Sequence, residues 1–117
     1  MSKVLVIEDN KDICVILRKR LEAEGLSVDI VESGYSFLGY LRNNEEPDIV
    51  ILDLMLPERS GRDLLYSIKA KWQNTKVFIF TAHAEYKEKR DLIDFISGFF
   101  CKTDGVDNLI DAIKKEL

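Results

Sequence analysis

Three short, uninterrupted apolar runs constrain the fold of this chain more than any other feature. They are Val4–Ile7, Ile49–Leu52 and Val77–Phe80, and each is rich in β-branched or aromatic side chains. A strand that is apolar at every position has both faces buried, which is typical of central strands in a parallel sheet. Ser27–Val31 instead alternates apolar and polar residues, as an edge strand does, and Phe99–Cys101 is a short fifth candidate.

Helical patterns separate these strands. Apolar residues recur at helical spacing within the segments 13–21, 37–41, 64–72 and 106–117, and a weaker pattern occupies Ala84–Asp94. Gly25 is placed to end the first helix, and Thr103 and Asp104 are candidate caps for the last. Five alternations of strand and helix predict an α/β fold, in which five helices cover both faces of a parallel sheet.

Size and charge limit the classes of function. A chain of 117 residues that is 46% hydrophobic predicts one domain, residues 1–117, with no second domain. Lys and Arg total 17 against 21 Asp and Glu, and the resulting net charge of −4 disfavours direct binding of nucleic acid.

Cysteine usage and the absence of long apolar segments predict where the protein resides. Cys14, Cys101 and the lone His83 cannot form a zinc cage, and we expect both cysteines to be buried in a reducing compartment. No apolar run is long enough to suggest a signal peptide or a membrane span, so we expect a cytoplasmic protein with no membrane partner.

Polar residues with potential chemistry follow the predicted strands. They are Glu8, Asp9, Asp53, Thr81 and Lys102. The carboxyl ends of parallel strands meet at one edge of a sheet, and ligands bind there where the strand order reverses. If the order is 2-1-3-4-5, that reversal lies between the first and third strands, and the three carboxylates converge in one cleft.

Three carboxylates in one cleft need a compensating charge. Two unit charges about 4 Å apart repel by roughly 4 kcal/mol at an effective dielectric constant near 20. A divalent cation together with Lys102 would balance them, and ligands that are all oxygen favour magnesium, which commonly also binds substrate phosphate. Taken singly, Asp9 or Asn10 could be only a helix cap and Lys102 only a solvated loop residue.

These residues belong to a recognisable set of motifs. The chain resembles, from Lys3 to Leu117, the receiver domain of two-component response regulators. The motifs that carry the resemblance are Val4–Asn10, Asp48–Pro57, Gly61, Phe80–Ala82 and Lys102. The resemblance implies a flavodoxin-like, doubly wound five-stranded sheet in the order 2-1-3-4-5.

The resemblance also implies how the acidic residues act. Asp53 would accept a phosphoryl group from a phosphohistidine or a small phosphodonor. Asp9 and Asp53 would bind Mg²⁺ directly, Glu8 would do so through water, and the backbone carbonyl of Met55 would add a further ligand. The phosphodonor partner would be a sensor histidine kinase or a phosphotransfer protein.

The remaining implied residues form a switch. Thr81 and Lys102 would bind phosphoryl oxygens, and Phe99 would turn inward on activation, changing the surface of the fourth helix, fifth strand and fifth helix. That surface would act on an output domain or protein, and the resemblance leaves homodimer formation open. Such a domain is not an enzyme on separate substrates, because it promotes only its own phosphorylation and dephosphorylation.

Two departures from the family pattern keep alternatives open. Thr103 follows Lys102 where receivers usually have proline, so we expect a trans bond there. Asp94–Ile96 replaces a small-residue stretch, and His83 stands where family members vary and tune phosphoryl lifetime. These departures are the basis for an alternative, a receiver-like binding module that signals without phosphorylation.

A phosphatase or a flavin protein on a similar sheet is a third interpretation. An aspartyl phosphatase normally has a second Asp two residues after the nucleophile, where this chain has Met55. A flavin protein needs a phosphate-binding loop after the first strand, where Glu8 and Asp9 would repel phosphate without a metal.

Overall fold

Strands and helices alternate in the computed structural model of the protein, which describes residues 2–82 and 86–117. The strands are β1 (Lys3–Ile7), β2 (Ser27–Val31), β3 (Ile49–Leu52), β4 (Lys76–Thr81) and β5 (Gly98–Cys101). The helices are α1 (Lys11–Ala23), α2 (Gly34–Asn43), α3 (Gly61–Lys71), α4 (Tyr86–Leu92) and α5 (Asp107–Lys115). Two 3-10 turns, Ile93–Phe95 and Lys102–Asp104, flank β5. The strands pair in parallel in the order β2-β1-β3-β4-β5, which confirms the predicted fold class.

Two apolar layers hold the sheet between the helices. Alternate residues of β1 point to opposite faces, so Leu5 packs with residues of α2, α3 and α4 while Val4 packs with residues of α1 and α5. Trp72, which follows α3, is 2% exposed and packs edge-on against the rings of Phe37 and Tyr40, with 6.1 Å between ring centroids in each pair. The apolar runs of the sequence therefore lie in the middle layer of a three-layer fold, as predicted.

Backbone conformation explains why the predicted cap of the last helix is wrong. The prediction that Thr103 or Asp104 caps the last helix is wrong, because both lie in a 3-10 turn and α5 begins at Asp107 with no side-chain cap. Gly105 has φ +80°, which a right-handed helix cannot contain. Gly25, with φ +82°, does follow α1 as predicted.

Several other sequence predictions can be compared with the described residues. The weak helical pattern at 84–94 gives α4 at Tyr86–Leu92 followed by a 3-10 turn, and its first two residues lie outside the described part. Leu117 is 54% exposed and lies beyond the end of α5, so it does not belong to that helix's apolar face. Cys14 is buried as expected, but Cys101 is half-buried, because it lies on the edge strand β5.

Candidate functional site

The register of the sheet brings the predicted polar residues to one edge. Ile7 pairs with Leu52, so the next residues, Glu8 and Asp53, leave the sheet side by side at the boundary between β1 and β3. The amide of Asp53 donates to the carbonyl of Ile7 at 3.1 Å, which fixes the two strand ends together. This is the point of strand-order reversal at which parallel sheets bind ligands.

The other half of the site comes from β4 and β5. Thr81 pairs with Cys101, so Lys102 begins just beyond the end of the sheet and next to the Thr81 backbone. Among the described residues there is no cis peptide bond, and the bond from Lys102 to Thr103 is trans as expected. The Lys102 side chain therefore reaches the carboxylates from the end of β5, which lies two places from β3 and three places from β1.

Lys102 bridges two buried carboxylates. Its Nζ atom lies 2.7 Å from Glu8 Oε1 and 2.8 Å from Asp53 Oδ2. The two carboxylate side chains are 3% and 4% exposed, and the Lys102 side chain is 16% exposed. Burial by itself would lower the pKa of Lys102, but the hydrogen bonds from its ammonium group to Asp53 and Glu8 outweigh that effect and raise the pKa.

Asp53 is held at both carboxylate oxygens. Its Oδ1 atom accepts hydrogen bonds from the Thr81 hydroxyl at 3.1 Å and from the Met55 amide at 3.0 Å, while Oδ2 faces Lys102. Three donors from three different segments thus set the orientation of one carboxylate. Such a fixed orientation is what a nucleophile or a metal ligand needs.

Glu8 is also anchored by its own loop. Its Oε2 atom accepts from the amide of Asn10 at 3.0 Å, and Asn10 in turn caps α1 by accepting from the Ile13 amide. Burial raises the pKa of Glu8, and the nearby Asp53 charge adds to this, while Lys102 and the Asn10 amide oppose it. Burial likewise raises the pKa of the neighbouring Cys14 thiol to about 11, which keeps that thiol neutral.

The residues present fit a divalent cation. Glu8, Asp9 and Asp53 each offer a carboxylate oxygen, and these oxygens lie within 4.8 Å of one another. Asp9 is exposed whereas the other two are buried, so the cluster opens to solvent on one side. Lys102 neutralises one of the three negative charges, which leaves two for an ion bound by oxygen alone, the preference of Mg²⁺.

The loop between β3 and α3 is closed tightly at its base. Met55 and Ser60 form an isolated antiparallel bridge, and the Gly61 amide donates to the Leu54 carbonyl at 3.1 Å. A Cβ atom on Gly61 would lie 2.5 Å from the Asp53 carbonyl oxygen and 2.5 Å from Leu54 Cα. Glycine is therefore required here by close approach of the backbone, next to the predicted phosphoacceptor.

The tip of the same loop is tied to α2, a contact that the sequence did not reveal. Glu58 Oε2 accepts from the Gly34 amide at 3.0 Å, at the first residue of α2. The Arg59 side chain covers Gly34, because a Cβ placed there would lie 3.1 Å from Arg59 Cβ. These partners are more than twenty residues apart, so no local pattern could have identified the pair.

The structure thus assembles most of the predicted site residues. Glu8, Asp53, Thr81 and Lys102 are in direct contact, and Asp9 joins them as the exposed carboxylate. Met55 contacts Asp53 through its amide, and its side chain is 56% exposed.

Two predicted residues are not part of this constellation. Phe99 lies on β5, partly buried, with its ring packed against the core cluster that includes α2, α3 and α4. His83 lies outside the described residues.

Comparisons with known proteins agree on one family. A sequence profile of the response regulator receiver domain matches residues 4–114. Sporulation initiation phosphotransferase F of Bacillus subtilis is 30% identical over 119 residues, which cover 99% of this chain and 94% of that protein. The regulatory protein LuxO of Vibrio vulnificus is 31% identical over 78 residues, but these cover only 17% of that longer protein and 67% of this chain.

Solved structures show the same likeness. The response regulator TrrA of Thermotoga maritima, crystallised in complex with Mg²⁺-BeF, superposes with a TM-score of 0.87 over 100% of both chains at 28% identity. The receiver domain of a LuxO repressor protein from Vibrio parahaemolyticus superposes with a TM-score of 0.88 over 98% of this chain and 88% of that one, also at 28% identity. In the described part of this chain, no helix has the length and apolarity to cross a membrane.

Proposed function

The chain belongs to the receiver domain family of response regulators, and on that premise we propose that Asp53 is its phosphoacceptor. The carboxylate of Asp53 would attack the phosphorus of a phosphohistidine, so that a new O–P bond forms as the bond to the histidine nitrogen breaks. The support is positional, since Asp53 follows β3 at the strand-order reversal and has three donors directed at it.

Mg²⁺ is the cofactor that this mechanism requires, and the cluster provides oxygen ligands for it. Asp9 and Asp53 would bind the ion directly, Glu8 would bind it through water, and the Met55 carbonyl would complete the protein's contribution. When bound, the ion supplies positive charge to the transferring phosphoryl oxygens.

Lys102 and Thr81 would hold the phosphoryl group after transfer. In the structure both donate to Asp53, Lys102 to one oxygen and Thr81 to the other. Each has a hydrogen that can be redirected to a phosphoryl oxygen once Asp53 carries one. Movement of Thr81 toward that group would leave space for the Phe99 ring, because β4 and β5 are paired neighbours.

The partners follow from this switch. A sensor histidine kinase or a phosphotransfer protein would supply the phosphoryl group, and an output domain or separate protein would read the surface of α4, β5 and α5. Hydrolysis of the aspartyl phosphate would end the signal. The alternative, a module that signals without phosphorylation, has less support, because the cluster retains all three carboxylates together with Thr81 and Lys102.

The contact of Lys102 with both Glu8 and Asp53 is the observation that carries this proposal. The test is incubation with Mg²⁺ and a small phosphodonor such as acetyl phosphate, followed by intact mass spectrometry. We expect the addition of one phosphoryl group, which is lost in Asp53→Asn and when Mg²⁺ is chelated.

A matched control is available at the other end of the same strand. Asp48 precedes β3 at the opposite end of the sheet, where its carboxylate accepts from the Lys3 amide at 2.8 Å. Asp48→Asn removes the same charge and should leave labelling intact. Labelling that persists in Asp53→Asn would show that another group is the acceptor.

A further inference from the structure

The loop that follows the proposed phosphoacceptor is held at two separate places. At its base, Met55 pairs with Ser60 in the isolated antiparallel bridge, so residues 56–59 form a closed tip. At that tip, Glu58 Oε2 accepts a hydrogen bond from the Gly34 amide at 3.0 Å, in the first turn of α2. The base joins the loop to its own neighbours along the chain, whereas the tip joins it to a different helix.

The contact between the tip and α2 extends beyond this hydrogen bond. The aliphatic stem of Arg59 lies over Gly34, since a Cβ atom built on Gly34 would be 3.1 Å from Arg59 Cβ and 3.3 Å from Arg59 Cδ. The side chain of Leu56 is buried in the same apolar cluster as Phe37 of α2. The tip is therefore packed against the start of α2 by polar and aliphatic contacts together.

The charge of Glu58 suits the position that it occupies. The first amides of a helix have no partner within the helix, and the helix dipole favours an anion there. α2 has no acidic residue in its own first turn, and its cap, Ser33, accepts from the Ser36 amide. The acceptor for the Gly34 amide is instead supplied by the loop beside the carboxylate cluster.

Met55 lies between this tip and the carboxylate cluster. Its amide donates to Asp53 Oδ1 at 3.0 Å, whereas its carbonyl accepts no hydrogen bond from residues 2–82 or 86–117 and is available to a cation. If the tip were free to move, the loop would hold that carbonyl in the correct place for only part of the time. The apparent affinity for an ion falls in proportion to the fraction of molecules that are competent to bind it.

We propose that Glu58 is a positioning residue for the metal site and that it couples occupation of that site to the first turn of α2. The inference rests on the proposed function, in which the Met55 carbonyl is a ligand of Mg²⁺. Glu58 acts through the loop and does not itself bind the ion. Because coupling between two sites is reciprocal, Mg²⁺ strengthens the hydrogen bond between Glu58 and Gly34 by the factor by which that bond strengthens Mg²⁺ binding.

The first test is a titration of the ¹⁵N-labelled full chain with MgCl₂, followed through the amide resonances of residues 53–60. Glu58→Ala should weaken Mg²⁺ binding about threefold to fivefold, the range expected when one hydrogen bond between chain segments is lost. Glu58→Gln removes the same charge but keeps an acceptor for the Gly34 amide, so it should bind Mg²⁺ as wild type does. Equal weakening in the two variants would overturn the proposal, because the effect would then come from charge alone.

Glu46→Ala is the matched control for stability. Glu46 Oε1 also accepts from a backbone amide, that of Asn74 at 2.7 Å, but it precedes β3 at the opposite end of the sheet from the carboxylate cluster. This substitution removes one carboxylate and one carboxylate–amide hydrogen bond, and it should leave Mg²⁺ binding unchanged. If Glu46→Ala weakened Mg²⁺ binding as much as Glu58→Ala does, general loss of stability would be the cause and the positioning role would be wrong.

Hydrogen exchange tests the reciprocal effect. In wild type, saturation with Mg²⁺ should slow exchange at the Gly34 amide about threefold to fivefold, and in Glu58→Ala it should not.

The same measurements separate this inference from the proposed function. If wild type binds Mg²⁺ and is phosphorylated while Glu58→Ala binds the ion equally well, only the role of Glu58 is overturned. If wild type shows no response to Mg²⁺ at residues 53–60, the proposed metal site is wrong and the inference is overturned with it.

Discussion

Gly61→Ala is the substitution for which the structure gives the sharpest expectation. The added Cβ would lie 2.5 Å from the Asp53 carbonyl oxygen and 2.5 Å from Leu54 Cα, about 1 Å inside the 3.4 Å at which ordinary contact begins. Both are backbone atoms that cannot rotate away, so the start of α3 must separate from the end of β3. Forced overpacking of this kind costs about 3 kcal/mol in free energy of unfolding.

Gly39→Ala is the matched control. Gly39 lies inside α2, and a Cβ built there meets nothing within 4 Å. This substitution should raise the free energy of unfolding by about 0.5–1 kcal/mol, because alanine favours the helix and restricts the unfolded chain. The assay is urea denaturation followed by far-UV circular dichroism, with comparison of midpoints at a constant slope. If Gly61→Ala were as stable as Gly39→Ala, the close approach of α3 to Asp53 would be wrong.

Three further predictions concern the charged contacts. Lys102→Met leaves Glu8 and Asp53 buried without their shared cation, so the free energy of unfolding should fall by about 3 kcal/mol, and Mg²⁺ should restore part of it. Calorimetry with and without the metal measures both effects, and a variant as stable as wild type would contradict the bridge. Because the folded-state pKa of Lys102 is raised above 10.5, its ion pairs stabilise the protein fully below pH 10.5 and lose that effect as the pH rises through the raised value. The difference in stability between wild type and Lys102→Met should therefore shrink in that pH range. A difference that stays constant would show that the ammonium charge is not its source. Glu58→Ala should lower the free energy of unfolding by about 1 kcal/mol and speed hydrogen exchange at the Gly34 amide, because that amide loses its acceptor. Glu58→Gln keeps an acceptor, so its Gly34 amide should exchange as in wild type. Equal exchange in the two variants would refute the hydrogen bond between Glu58 and Gly34.

The sheet could be predicted from the sequence because its central strands are buried on both faces. Val4–Ile7 and Ile49–Leu52 are buried at each position and must be apolar there, so the sequence pattern alone places them in the centre of the sheet. The edge that carries the carboxylate cluster followed from the same logic, since Glu8 and Asp53 come directly after those strands. Parallel pairing then leaves little freedom in where the two carboxylates lie.

Helix caps and contacts that join distant segments could not be predicted in this way. The cap of α5 was predicted wrongly because Thr103 is an acceptable cap locally, whereas Gly105, with φ +80°, separates Thr103 from the helix that begins at Asp107. The bond between Glu58 and the Gly34 amide depends on how a loop folds over α2, and neither residue carries a local signal of it. The periodicity of apolar residues predicts which face of a helix or strand is buried. A side chain that caps a helix from a distant segment depends on the tertiary structure.

The placement of Trp72 determines what intrinsic fluorescence can report. It is the chain's single tryptophan and follows α3, whose first residue bonds to the backbone beside Asp53. Eleven helical residues separate the two ends by about 16 Å, beyond the reach of contact quenching by a bound ion. A change in Trp72 emission on adding metal would therefore signal that α3 as a whole has moved relative to the rings of Phe37 and Tyr40.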